Sequence, residues 1–449
     1  MISRAFVRGE GKITLQMASG RIAKLPSLMM NRSKEYNYAL EGLRGLAAMW
    51  VFFAHAFSWQ LFDPVYRLSY PWPEYLISFT SPAHIGVLIF ICLSGYVIGL
   101  TNPANKPLSP KQYLFKRFIR IYPLYLLTVV ISSLIAGYTH LSQIFGHLIF
   151  LNPHFVAPLA GNNVLWSIGY EVIYYLVFLL IALFLPHKRT IFIYLILSLS
   201  ILVCLVCLYP GQGKILASYL SGLVFWLLGM YLSWFCVPKP QFHNIETEEF
   251  LQNRIPLWSM LLLVVATGAY GNGGSILNGL HLSSTITSPL GLNDFFCIPI
   301  VIYIFLALTQ NTVSKLFKKL CFVVSFLLPS TFITIASFQG KLLNYPTYLA
   351  TLILLVLAVF LLPVKTTLQP LENLKWSGSV SYAIYIFHIP VMVLIGKIPN
   401  FSNTLWEFLL RLCLSLAATL AVANFAETKL QPSIRHHIQL LIAGIIKNG

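Results

Sequence analysis

The sequence predicts an all-α fold, a polytopic integral membrane helical bundle with about 10–12 transmembrane helices. Three observations predict it. Hydrophobic residues make up 57% of the chain and charged residues 10%, whereas about a quarter of a soluble domain is charged. The mean hydropathy is +0.76. Apolar runs long enough to enter a bilayer recur along most of the chain, and they alternate with short polar loops.

The predicted helices follow the apolar stretches in order. The stretches at 256–271 and 317–338 give the weakest prediction, and two of the stretches are short enough to be re-entrant instead of spanning. The full set lies near residues 40–59, 83–101, 119–138, 163–185, 190–209, 214–236, 256–271, 293–310, 317–338, 346–364, 380–398 and 405–426.

Positive charge predicts how the bundle is oriented. The net charge of +17 resembles that of a nucleic-acid binder, but the basic residues lie in alternate short loops, which is typical of a topology signal. The intervening segments 139–162 and 271–292 contain no Lys or Arg. We therefore expect a multi-pass protein of the cell (inner) membrane with both termini in the cytoplasm. The expected parts are a basic N-terminal tail (1–36), a membrane domain (37–432) and a short C-terminal tail (433–449).

The cysteines do not indicate a metal site. All seven lie in or at the ends of apolar stretches. Cys204 and Cys207 form a CxxC pair inside one of these stretches, without His or Cys partners at a spacing typical of zinc sites. We interpret the cysteines as packed thiols and expect no bound metal.

Arg44 and His55 form the most informative pair in the sequence. They are eleven residues apart in an apolar stretch, so on a helix they share one face and are separated by roughly 16 Å. Ionisable groups are costly in lipid and by default mark a functional path. The alternative is that Arg44 reaches the headgroups while His55 bonds a neighbouring helix.

Two further polar groups lie deep in predicted spans. Glu171 has no basic residue within one turn of its own helix, so it needs a partner from another helix or must be protonated. Ser381, Tyr385 and His388 share one helix face, which we expect to point into the bundle. The histidines at 140, 147 and 154 fall in a predicted outer loop, and we expect them at the surface or the membrane interface.

Arg117 and Arg120 open the third apolar stretch three residues apart. This spacing allows both guanidinium groups to bind one polyanion. Positive-inside anchoring of the helix is the alternative reading of the same two residues, and the spacing alone favours anchoring.

Together these elements resemble the acyltransferase-3 family of integral membrane acyltransferases. Each element is weak alone, but six in the family's order are specific. They are Arg44 and His55 of the Arg-x10-His signature, Phe90–Tyr96 of the Phe-x-Leu-Ser-Gly element, Arg117 and Arg120, Trp166-Ser167-x3-Glu171, Ser381-Tyr382-x2-Tyr385-x2-His388, and the closing Glu427.

The resemblance implies transfer of an acyl group, in the first instance acetyl, from cytoplasmic acyl-coenzyme A to a carbohydrate or glycolipid hydroxyl. Acyl-coenzyme A is then a co-substrate, with no permanently bound cofactor and no nucleic-acid partner. We predict His55 as general base, oriented by Glu171 or His388. Arg44, Arg117 and Arg120 are predicted to bind the coenzyme, and Trp166, Ser167, Tyr382 and Tyr385 the acceptor. The alternatives are a glycan or lipid transporter or flippase, and a membrane scaffold. The oligomeric state is left open.

Overall fold

The computed structural model describes residues 37–57, 84–103, 108–137, 140–152, 154–184, 189–208, 214–235, 257–270, 290–309, 314–364, 368–398 and 404–448. Across these ranges the chain is helical, and its β pairing is limited to one isolated bridge between Leu159 and Asn162. The all-α prediction is confirmed. The predicted N-terminal tail, 1–36, lies outside the described residues, and the domain limits stay predictions.

The helices are numbered here in chain order. Leu292–Cys297 forms a 3₁₀ turn before α9, and Ala426–Leu430 forms a π-helical turn between α15 and α16. The helices are α1 Tyr38–His55, α2 His84–Thr101, α3 Pro110–Ala136, α4 Leu141–Leu148, α5 Trp166–Phe184, α6 Arg189–Leu208, α7 Lys214–Phe235, α8 Leu257–Tyr270, α9 Ile298–Leu308, α10 Lys315–Phe338, α11 Pro346–Phe360, α12 Gln369–Asn373, α13 Lys375–Ser379, α14 Ser381–Gly396, α15 Leu405–Phe425 and α16 Gln431–Asn448.

Every apolar stretch predicted from the sequence overlaps one of the longer helices. Within the described ranges, six helical segments are long and apolar enough to cross a membrane, and five shorter apolar helices accompany them. Many large apolar side chains on these helices are exposed, among them Leu134, Phe184 and Phe360. Such outward-facing apolar surface is what a bilayer covers, and the protein is a multi-pass membrane protein.

Small residues set a close helix contact between α2 and α7. Gly95 packs against the backbone of Trp226, and a Cβ atom at Gly95 would lie only 1.8 Å from the Trp226 carbonyl oxygen. Gly229 of α7 packs in the same way against Cys92. Gly95 and Gly99 form a G-x-x-x-G pattern, which allows two helix backbones to approach closely. Such close packing matters in a bilayer, because the hydrophobic effect does not drive helices together in lipid.

The start of α1 is fixed from two sides. Asn37 caps the helix, because its side-chain oxygen accepts from the Leu40 N–H at 3.0 Å and its amide donates to the Leu308 carbonyl at 3.1 Å. Gly42 lies directly against the Leu371 carbonyl of α12. These contacts fix the start of α1, the helix that carries Arg44 and His55.

Two prolines inside helices are compensated from neighbouring helices. Pro123 cannot donate to the Ile119 carbonyl, and the Gln431 amide donates to this oxygen at 3.4 Å and to the next carbonyl, of Arg120, at 2.8 Å. Pro329 leaves the Ser325 carbonyl without its helical donor, and the Thr267 hydroxyl donates to it at 3.2 Å. Membrane helices tolerate proline when such donors replace the lost N–H.

Gly95→Ala should destabilise the bundle, because the added methyl group collides with backbone and not with a side chain that can rotate away. Overpacking typically costs about 1–3 kcal/mol. We expect a lower melting temperature and less monodisperse protein in detergent. Gly291→Ala is the matched control, since Gly291 has an extended φ of −162° and nothing within 4 Å of an added Cβ. A Gly95→Ala protein that melts like the wild type would contradict this packing.

Candidate active site

The two deep histidines meet. His55 ends α1 and His388 lies in the middle of α14, 333 residues later in the chain. The Nδ1 atom of His55 and the Nε2 atom of His388 are 3.3 Å apart, and the ring centroids are 5.1 Å apart. His388 is completely buried. The structure therefore brings together two of the predicted catalytic residues.

The backbone around the two rings assigns their protons. A carbonyl oxygen only accepts, so the Nδ1 of His388, 3.1 Å from the Ile384 carbonyl, carries a hydrogen. Its Nε2 then presents a lone pair to His55. The Nδ1 of His55 lies 2.8 Å from the Val51 carbonyl and also carries a hydrogen. In the neutral pair the basic nitrogen of His55 is consequently Nε2.

The shell around the pair is apolar. Phe52, Met392 and Phe408 are buried together beside it, and the Phe52 ring lies 6.4 Å from the His388 ring between centroids. This shell excludes water from one side of the imidazoles. Electrostatic interactions are stronger in such surroundings than in water, so the hydrogen bond between the two imidazoles is stronger here than it would be in water.

Tyr385 connects the histidine pair to α5. Its ring lies 6.0 Å from His388 and 5.7 Å from Phe90, centroid to centroid. Its hydroxyl group donates to the Val164 carbonyl at 3.1 Å and accepts from the Ser167 hydroxyl at 2.8 Å. The predicted residues Ser167 and Tyr385 therefore form one hydrogen-bonded unit next to the imidazoles.

Glu171 lies one turn farther along α5 and takes a different set of partners. Its Oε1 atom accepts from the hydroxyl groups of Ser94 and Tyr175, each at 2.5 Å. The Trp226 indole N–H donates to the Ser94 oxygen at 3.3 Å. Of the two residues predicted to orient His55, the structure places His388, not Glu171, against the ring.

Arg117 of α3 lies beside the next turn of α5, at Tyr175. Its guanidinium carbon lies 5.8 Å from the centre of the Tyr175 ring and 6.0 Å from that of Tyr113. Its Nε atom is buried and has no hydrogen-bond partner among the described residues. A cation held between aromatic rings with an unused donor is suited to bind an anion.

Arg120 is already engaged within the protein. Its Nη1 atom donates to Glu427 at 2.6 Å and to the Gln431 side-chain oxygen at 3.1 Å, and the guanidinium group lies over the Tyr382 ring. The Tyr382 hydroxyl donates to the Ile121 carbonyl at 2.9 Å. Arg117 and Arg120 therefore do not converge on one point. Tyr382 lies with Arg120, six residues before His388 on α14.

Two further predicted residues, Arg44 and Trp166, contact groups other than the two imidazoles. Arg44 pairs with Glu41 of its own helix at 3.3 Å, near the start of α1. Trp166 starts α5 and contacts the edge of Tyr170, whose ring stacks on Tyr219. The Tyr170 hydroxyl also lies 2.6 Å from His154. Trp166 thus belongs to an aromatic cluster beside the 149–165 loop.

The prediction that the loop histidines are all at the surface is wrong for His147. This side chain is completely buried, and its Nε2 bonds the Ala157 carbonyl at 3.0 Å. Burial lowers the pKa of both His147 and His154. The described residues of the loop fold against α3 and α5.

The polar groups form a column along the helices. Ser167, Glu171 and Tyr175 repeat every four residues on α5, which covers about 12 Å. His388, Tyr385 and Tyr382 repeat every three residues on α14, which covers about 9 Å. Tyr175, Trp226 and Tyr113 were not predicted from sequence, and Ser94 was predicted only as part of the Phe90–Tyr96 element. Of the other three, Tyr175 had a signal, because it lies four residues after Glu171 on the same face.

Comparison with known proteins agrees with the motifs. Residues 37–243 match the acyltransferase-3 family model, which is described as an acyltransferase domain. The predicted resemblance is confirmed over this segment. The acyltransferase-3 segment contains α1 to α7, with His55, Arg117 and Glu171, whereas His388 and Glu427 come from helices beyond it.

One viral protein is similar to part of the chain. It is called "Putative acetyltransferase ORF330" and comes from Acidianus two-tailed virus, and it is 29% identical over 148 residues. The alignment covers 32% of this chain and 40% of the viral protein, so the chain spans two fifths of that relative. No solved structure is significantly similar to the chain. These findings support a membrane acyltransferase in general terms.

Proposed function

We propose that the protein is a membrane acyltransferase that moves an acyl group, in the first instance acetyl, from cytoplasmic acyl-coenzyme A to a carbohydrate hydroxyl group, with His55 as general base. The observation that supports the proposal best is the His55–His388 contact at the end of the polar column. The family match over residues 37–243 supports acyl transfer, and the donor and acceptor classes follow from the motif resemblance.

The chemistry requires one base that first takes and then returns a proton. The acceptor oxygen attacks the thioester carbonyl carbon while its proton passes to the Nε2 atom of His55. The new C–O bond gives a tetrahedral intermediate, which collapses by breaking the C–S bond. The thiolate of the coenzyme then receives the proton from His55, and ester and thiol leave.

His388 is proposed as the residue that stabilises protonated His55. Once His55 carries both hydrogens, its Nδ1–H faces the Nε2 lone pair of His388 at 3.3 Å. The imidazole of His388 therefore does for His55 what the third residue of a catalytic triad does for its histidine. Glu171 is proposed to fix Ser94 and Tyr175 and to balance the charge of Arg117.

The donor is proposed to lie along the polar column, with its phosphates near Arg117 and its thioester near His55. Arg117 offers a buried donor without a partner among the described side chains. Arg120 supports this end of the column through Glu427 and Tyr382. Arg44 is proposed to contact the coenzyme from α1. Trp166, Ser167 and Tyr385 are proposed to face the acceptor, with Tyr382 between the two substrates.

A two-step route through an acyl-His55 intermediate uses the same residues. It forms the N–C bond and expels the thiol before the acceptor arrives. A transporter or flippase would instead need a gradient or a second state and would not cleave the thioester. Purified protein in detergent, supplied with labelled acetyl-coenzyme A and extracted envelope glycolipids, separates the enzyme from a carrier.

His55→Ala should abolish transfer while the protein stays folded. Loss of a general base typically costs about 10²–10⁴-fold in rate. The assay is transfer of labelled acetyl from acetyl-coenzyme A to extracted glycolipids, with the melting temperature measured on the same sample. His437→Ala, an exposed histidine on α16, is the control and should transfer at the wild-type rate. Wild-type activity in His55→Ala would end the assignment of the base.

Arg117→Ala should raise the donor KM roughly 10- to 100-fold, the range for loss of a hydrogen bond to a charged group, with a small effect on kcat. Arg120→Ala should behave differently. It leaves the buried Glu427 carboxylate without its cation, so we expect a lower melting temperature that the added change Glu427→Gln partly restores. An unchanged donor KM in Arg117→Ala would contradict coenzyme binding by Arg117 and would favour positive-inside anchoring as its role.

A further inference from the structure

The helix that carries His388 contains a proline two residues later. Pro390 lies inside α14 and has no backbone N–H. In an α-helix the missing hydrogen would have bonded the carbonyl of residue 386. The Ile386 carbonyl therefore loses its helical donor in the turn that presents His388 to His55. A buried carbonyl without a donor is costly, particularly where water is excluded.

Asn162 supplies the donor from outside the helix. Its side-chain amide donates to the Ile386 oxygen at 2.8 Å, across 224 residues of sequence. Asn162 is completely buried. It belongs to the loop between α4 and α5, which the mechanism above does not use, and the flanking residues Leu159 and Leu165 are also completely buried.

The loop that holds Asn162 is itself fixed. The Asn162 N–H donates to the Leu159 carbonyl at 2.9 Å, which closes a tight turn. Gly161 lies so close to α3 that a Cβ atom there would be 2.4 Å from the Ser132 carbonyl oxygen. Two residues after Asn162, the Val164 carbonyl accepts from the Tyr385 hydroxyl. The loop thus holds α14 at two successive residues, 385 and 386, just before His388.

We propose that Asn162 is a positioning residue of the active site, because its amide replaces the N–H that Pro390 lacks and so holds His388 at hydrogen-bonding distance from His55. The inference rests on the proposed function of this pair. Asn162 touches neither imidazole, and it acts through the turn of α14 between Ile386 and Pro390.

The test is a double-mutant cycle on Asn162 and Pro390. Asn162→Leu keeps the branched side-chain skeleton and removes the donor, and we expect kcat to fall roughly 10²-fold, as a misplacement of about 1 Å can cause, with the donor KM unchanged. Its melting temperature should fall by a few degrees. Pro390→Ala returns an N–H to the Ile386 carbonyl. The double variant should therefore recover most of the lost kcat and most of the lost melting temperature.

Thr267→Val is the matched control. It removes the same kind of bond, from a side chain to the carbonyl freed by Pro329, at a place away from the histidine pair. It should lower the melting temperature and leave kcat at the wild-type value. A merely structural role of Asn162 predicts the same pattern for Asn162→Leu, so this comparison separates positioning from stability.

Three outcomes would overturn the inference. They are a wild-type kcat in Asn162→Leu, a double variant no better than Asn162→Leu, and a loss of kcat in Thr267→Val as large as in Asn162→Leu. A wild-type protein that transfers no acyl group would overturn the proposed function instead. The melting-temperature cycle needs no substrate, so it would still decide whether Asn162 and Pro390 are coupled.

Discussion

The contact between the imidazoles of His55 and His388 is the interaction on which the rest of the site depends. Each ring bonds a carbonyl of its own helix, one turn earlier, and this fixes which nitrogen carries hydrogen. The hydrogen on Nδ1 of His55 then also lies between the two rings, because Nε2 of His388 is 3.3 Å from this nitrogen. Because each proton is set by a carbonyl of the ring's own helix, the placement of α1 against α14 does not change which nitrogen of His55 is basic, and it sets the distance between the two imidazoles instead.

The placement of those helices rests on polar groups being satisfied inside the bundle. In the described part of the chain three helices contain an internal proline, at 123, 329 and 390. In each of them the freed carbonyl accepts from a side chain of another segment, Gln431, Thr267 or Asn162. Gln431 also accepts from Arg120. In lipid such donors cannot be replaced by water, so the same bonds that stabilise the bundle also align its functional groups.

Much of this could be predicted from sequence, because apolar periodicity and length report directly on membrane helices. The helix face shared by Tyr385 and His388 was also predictable from spacing. Partners from distant segments were not. Nothing near Glu427 in the sequence indicates that it binds Arg120, 307 residues away. Loop burial was unpredictable for the same reason. His147 lies in a predicted outer loop of the sequence, and the residues that bury it, such as Tyr125 and Ala157, are not its sequence neighbours.

The most direct test of the central claim is a cryo-EM structure of the protein with a non-hydrolysable thioether analogue of acetyl-coenzyme A. The account predicts that the analogue follows the polar column, with its phosphates at Arg117. Its acyl carbonyl should lie close enough to Nε2 of His55 for one hydroxyl group to fit between them. An analogue bound on another face of the bundle, with its acyl end remote from both imidazoles, would contradict the account.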